Sequence, residues 1–173
     1  IYVGSDDNKL YALSPDGTLK WEFHAGHPIR STPAVAADGS IYFTTDNHEL
    51  YALDENGGLR WTRSNVFHSC PAIGSDGTIY VVMSETSSKL GAFYENGSMK
   101  WSFDTGLSDI SGYSNWVQCP AIGLDGTVYF TVFNYMDWLD PARPPNGYLY
   151  AVRENGDLKW VREVSAVSSP AVG

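Results

Sequence analysis

The residues able to do chemistry are few and scattered. Four histidines, His24, His27, His48 and His68, show no HxxxH or HExxH spacing, so no pair is set one helical turn apart to grip zinc. Oxygen donors gather at Asp6, Asp7, Asn8 and at Asp46, Asn47, but without the ladder of a calcium loop. Asp and Asn are also ordinary turn residues, and we read them so. The two cysteines, Cys70 and Cys119, each precede a proline. His68 lies two residues before Cys70, within reach on one strand face, yet no third group is there to orient it as a base. No GxSxG elbow occurs. The cysteines allow one disulfide or none. Catalytic residues are therefore expected to be none, and metal ligands none.

What remains are binding groups. Arg30, His68 and Gln118 each stand two or three residues before a recurring Pro-Ala pair. A second set lies in two long polar stretches: Asp109, Tyr113 and Trp116 in one, Tyr135, Asp137, Trp138, Asp140 and Arg143 in the other. Aromatics beside carboxylates can stack on and hydrogen-bond a sugar or a peptide. They can equally cover the end of a sheet, with Pro141, Pro144 and Pro145 stiffening the loop.

The elements that must position these groups are repeats. PAVAADGSIYF from Pro33 recurs as PAIGSDGTIYV from Pro71 and PAIGLDGTVYF from Pro120. Each is followed by a unit such as LYALDENGGLRW, and the chain opens on IYVGS and LYALSPDGTLKW. It closes on PAVG, Pro170 to Gly173. The spacing is 38 residues between the first two prolines and 49 and 50 thereafter. Periods near 40 with this content predict four-stranded propeller blades. Asp-Gly or Asn-Gly joins strands A to B and C to D, a hairpin signal that predicts type I′ turns. Strand B, as in Ile79–Met83, is apolar on both faces and must be sandwiched. Strand D carries Lys20, Arg60, Lys100 or Lys159 before a Trp, which suits an exposed edge.

The fold class is thus all-β, a propeller of four-stranded antiparallel blades with four blade-equivalents in one domain, 1–173. The repeats are 1–31 (partial), 32–69, 70–118, 119–169 and 170–173 (partial). Strand A at the C-terminus is expected to complete the N-terminal blade. The ring is either closed with four blades or half of an eight-bladed one. The meander puts the tight Gly turns on one face and both long stretches on the other. Gly91 replaces the Tyr of the other units, which predicts an altered blade contact there.

Ala12 to Trp21, Ala52 to Trp61, Ala92 to Trp101 and Ala151 to Trp160 keep one nine-residue spacing, with a turn Gly four residues before each Trp. This pattern resembles the tryptophan-docking motif of the PQQ-like (quinoprotein-type) β-propeller repeat family, which includes non-enzymatic, BamB-like members. The resemblance implies that Trp21, Trp61, Trp101 and Trp160 dock one blade on the next. It implies a binding or scaffold role outside the cytoplasm, periplasmic or secreted, with a protein or small polar ligand on the long-loop face. The alternative it implies is a fragment of a PQQ-dependent alcohol or sugar dehydrogenase with calcium. No adjacent cysteine pair stands here to support that cofactor, so no cofactor is expected and the reading leans away from an enzyme. The net charge of −9 argues against nucleic acid. The longest apolar runs are strand-length, so no membrane span is expected. A homodimer could complete a larger ring. The chain starts inside a strand-like run, as a mature, excised or truncated piece would.

Overall fold

The computed structural model describes residues 1–66, 69–84, 87–108, 116–117, 119–133, 147–164 and 168–173. Every regular element among them is a strand, arranged in four antiparallel sheets. Blade 1 holds β1 (Tyr2–Gly4), β2 (Lys9–Leu13) and β3 (Leu19–His24). Blade 2 holds β4 (Ala34–Val35), β5 (Ile41–Thr44), β6 (Glu49–Leu53) and β7 (Leu59–Ser64). Blade 3 holds β8 (Ala72–Ile73), β9 (Ile79–Ser84), β10 (Ser87–Phe93) and β11 (Met99–Ser108). Blade 4 has its strand A in two pieces, β12 (Trp116–Val117) and β13 (Ala121–Ile122), both pairing with β14 (Val128–Phe133); β15 (Gly147–Val152) and β16 (Leu158–Val164) follow.

The hairpins correct one expectation. Type I′ needs positive φ at two successive residues, yet no Asp or Asn of the Asp-Gly and Asn-Gly pairs has it; the Gly alone does, as at Gly39 with φ 86°. Gly39 N donates to the Ala36 carbonyl and Ala36 N to the Ser40 carbonyl, so an ordinary turn is followed by one left-handed residue. That three-residue loop with a glycine bulge needs a single glycine. The preceding Asp is kept for its side chain, which accepts from Ser40 N and Ser40 Oγ.

The core lies between blades. Leu10, Ile29, Ile41 and Phe43 pack between blades 1 and 2; Tyr42, Val66, Val81 and Phe93 between 2 and 3; Val82, Leu90, Phe130 and Val132 between 3 and 4. Strand B is buried on both faces in β5, as its two-sided apolar pattern requires. In blades 2 and 4 the rings of Phe43 and Tyr51, and of Phe130 and Tyr150, stack with centroids 5.1 and 5.2 Å apart. Blade 3 has Val81 opposite Gly91 instead. A Cβ on Gly91 would come within 3 Å of Met83 and Phe93, so these two side chains fill the place of the missing ring.

The expected completion of blade 1 by Pro170–Gly173 is not made within the chain. The first sheet has three strands, and residues 168–173 form none. Ser168 and Ser169 are tied to blade 4: Thr131 Oγ1 donates to the Ser168 carbonyl at 3.1 Å and Cys119 N to Ser169 Oγ at 3.1 Å. The last residues therefore stand where a blade after the fourth would begin, at the far end of the row from β1. The four blades form an arc of a propeller, with no closed sheet.

Candidate functional site

Arg30 is placed on the looped face by the link from β3 to β4. Ile29 N donates to the Ser5 carbonyl, and Asp46 N to the Pro28 carbonyl, so backbone bonds hold this link between the β1–β2 and β5–β6 turns. The guanidinium then spans two blades, with Nε 2.9 Å from Asp6 Oδ1 and Nη1 2.6 Å from Asp46 Oδ2. The bond it donates to Asp6 and the charge of Asp46 raise its pKa further. Arg30 is an electrostatic clamp, and the cation between the two oxygen-rich turns is the protein's own. Both turns are further closed by a residue in the left-handed region, Asn8 in one and His48 in the other. Their carbonyls accept from Ala25 N and Val66 N.

The meander places the strand ends that flank the two long stretches. Trp116 pairs with Phe133 and Phe133 with Gly147, so 109–115 and 134–146 leave from the same end of blade 4. Trp116 is placed by its backbone in β12. His68, Gln118, Asp109, Tyr113, Tyr135, Asp137, Trp138, Asp140 and Arg143 lie outside the described residues.

The four docking tryptophans share one environment. Each rests on the strand-B tyrosine of its own blade, Tyr2, Tyr42, Tyr80 or Tyr129, at 5.7 to 5.8 Å between centroids. Trp21, Trp61 and Trp101 also reach the next blade, where Nε1 donates to the carbonyls of Glu55, Glu95 and Glu154 at 3.2, 2.8 and 2.9 Å. A Cβ on Gly57, Gly97 or Gly156 would meet those indoles at 2.9, 2.7 and 3.0 Å. The turn glycine is thus required twice, for its positive φ and for the ring laid against it.

The cysteines are joined. Cys70 and Cys119 form a disulfide with Cα atoms 4.8 Å apart, linking the starts of the inner strands of blades 3 and 4. Of the possibilities the sequence left open, the structural one is realised.

Sequence reading missed a recurring brace on the tight-turn face. In blades 2, 3 and 4 the cation before the Trp crosses strand C to the A–B turn of its own blade. Lys100 Nζ lies 2.9 Å from Asp76 Oδ2 and from Thr78 Oγ1. Lys159 repeats this with Asp125 and Thr127, and Arg60 with Asp38 and Ser40. Burial raises the Asp76 pKa, but bonds from Thr78 and Lys100 outweigh it and hold the carboxyl well below the usual range. The signal was present as Asp-Gly-Ser/Thr paired with Lys/Arg-Trp in each full unit. Beside Lys100 lies an open cleft of about 350 Å³, lined by Asp76, Thr78, Tyr94, Glu95 and Asn96.

The dehydrogenase reading would need groups to hold a quinone and calcium. The cysteines are bonded across two blades and offer no adjacent-cysteine platform. The rim cation Arg30 is already neutralised by two carboxylates. Among the described residues no three His, Cys, Asp or Glu side chains gather as a metal cage would need. Also among them, no helix is long and apolar enough to cross a membrane.

Comparison with known proteins follows this geometry. BamB from Moraxella catarrhalis superposes with a TM-score of 0.70 at 18% identity, covering 94% of this chain and 46% of that one. A protein of unknown function from Bacteroides caccae gives 0.66 at 18% identity, covering 98% and 60%. A europium-containing methanol dehydrogenase gives 0.66 at 16% identity, covering 92% and 39%. The chain thus spans 39 to 60% of the length of these structures, and the likeness is one of fold. No curated protein sequence matches significantly. A family model described as outer membrane protein assembly factor BamB matches residues 1–172, and the chain, with its docking tryptophans and blade arc, belongs to that PQQ-like, BamB-type propeller family.

Proposed function

We propose that this chain is part of a non-enzymatic binding or scaffold propeller, working outside the cytoplasm and holding a protein or a small polar ligand on its long-loop face. The observation that carries the reading is the departure of both long connections from one end of blade 4, opposite a face of tight turns. Long connections on a rigid sheet are where binding residues concentrate. The family's description as an assembly factor supports a protein partner in outer-membrane protein assembly. The Cys70–Cys119 bridge supports an oxidising compartment. The bonding of both cysteines across two blades favours this reading over the dehydrogenase fragment.

Two measurements test this. Titration with pyrroloquinoline quinone and calcium, followed by the quinone's absorbance and by dye-linked oxidation of alcohols and sugars, is expected to give no saturable change; saturable binding with dye reduction overturns the reading. Phe133 and Gly147 face each other, so 134–146 can be replaced by a short Asn-Gly turn. The intact protein, immobilised over solubilised outer membrane, should retain a β-barrel assembly component that the shortened variant loses. Equal retention by both refutes the assignment to this face.

A further inference from the structure

A cleft of about 350 Å³ opens on the tight-turn face between blades 3 and 4. Neither the docking tryptophans nor the brace fills it. Its walls are the A–B turns of the two blades, with Ile73 and Ile122 at the ends of β8 and β13. Leu124, fully exposed, stands on its rim. Both turns have a glycine where blade 2 has Ala36, Gly74 in one wall and Gly123 in the other, so they present bare backbone to the cleft. The walls are also tied together. The Cys70–Cys119 bridge joins the chain two residues before Ala72 and Ala121, where the Cα atoms are 4.8 Å apart.

Two polar groups face this apolar space. Glu154 comes from the C–D turn of blade 4, whose backbone is pinned by Trp101 Nε1 donating to the Glu154 carbonyl. Its carboxylate lies over the neighbouring A–B turn, with Oε2 3.1 Å from where a Cβ on Gly126 would be. It forms no ion pair among the described residues. Lys100, close enough to feel its charge, is held by Asp76 and Thr78. The second group is Tyr80, only 1% exposed, whose ring lines the cleft. The adjacent hydroxyl, Thr78 Oγ1, already donates to Asp76 and accepts from Lys100. In blade 2 the same commitment of Ser40 leaves Tyr42 Oη buried with no hydrogen-bond partner. Tyr80 Oη likewise closes no hydrogen bond of normal geometry among the described residues. Burial, then the charges of Asp76 and Glu154, push this phenol up to about 12, so it stays protonated beside negative charge.

We propose that this cleft binds a primary ammonium group on an aliphatic stem, as a lysine side chain or a free alkylamine presents it. The ammonium gives one N–H to the Glu154 carboxylate and another to Tyr80 Oη, and the stem lies on Ile73, Ile122 and Leu124. The charge selects the sign of the ligand, because Lys100 is committed to Asp76 and leaves Glu154 unbalanced. The net charge of −9 draws cations to the surface. The apolar walls select a stem, since a hydrated metal ion gains nothing from them. The cleft lies on the face opposite the long connections, so this inference stands apart from the scaffold reading.

Amide NMR of the isotope-labelled chain, titrated with ethyl-, butyl- and hexylammonium chloride at constant chloride, tests this. Shifts at Gly74, Ile122 and Gly123 should saturate, and affinity should rise about 4-fold for each methylene that reaches the walls. Nα-acetyl-lysine amide separates the two sources. Binding tighter than that of butylammonium, which has the same stem, assigns the cleft to a peptide side chain; equal or weaker binding assigns it to a free amine. Glu154→Gln, at an exposed turn, should weaken hexylammonium about 10-fold, and Tyr80→Phe about 5-fold, both with unchanged circular dichroism. Shifts that do not saturate, or that sodium chloride reproduces, overturn the proposal. So does an affinity independent of stem length, or equal binding by Glu154→Gln.

Discussion

Reducing the Cys70–Cys119 bridge should lower folding stability by about 4 kcal/mol. The bond closes a loop spanning 49 residues of sequence. In the chain-entropy description that closure removes about 14 cal/mol/K from the unfolded ensemble, or about 4 kcal/mol at 25 °C. The native side of the balance changes little, because the bridged residues are also held by other bonds. Cys119 N donates to Ser169 Oγ, and the neighbouring Ser69 carbonyl accepts from Thr44 Oγ1. Urea unfolding with and without a phosphine reductant, with Cys70→Ser/Cys119→Ser as a second reduced state, measures the difference. The midpoint should fall while the fold survives, since the blade cores contain neither cysteine. A loss under about 1 kcal/mol would show that the unfolded chain already holds these strands together, and the entropic reasoning would fail.

Trp61→Ala should cost about 3 kcal/mol through lost packing on Gly97 and Tyr42, and Trp61→Phe about 1 kcal/mol through the bond to Glu95; equal losses in urea unfolding would contradict the docking role. The Asp76 carboxyl is held below its unfolded value, so its contribution is present above about pH 4 and lost as pH falls through the folded pKa. Asp76→Asn should therefore flatten the decline of the urea midpoint below about pH 4, and an unchanged slope would remove the brace from acid stability. Arg30→Met should lower the thermal midpoint only slightly, because the clamp is largely solvated. A larger loss in thermal unfolding would mark Arg30 as part of the blade 1–2 core.

What was legible follows from where each contact is encoded. Trp and Gly recur in step because each indole lies on the next turn's glycine, so the contact is written into the period itself. The Arg30 clamp was not legible: Asp6 and Asp46 sit in separate turns, and each alone reads as an ordinary Asp/Asn turn. The disulfide depended on how closely the inner strands of blades 3 and 4 approach, 4.8 Å between Cα atoms, which no spacing in the chain states. The candidate loop residues rest on length and composition alone, while the brace at Lys100 went unseen because its partners are two strands away in one blade. Closure stayed open in the sequence for a related reason. Strand count fits a four-blade ring as well as half of a larger one, because every blade interface uses the same groups. Ring size is set by the angle between blades, which the packing of side chains such as Leu10 against Ile41 and Phe43 determines. Ser168 and Ser169 are tied to blade 4, and Pro170–Gly173 pair with no described strand.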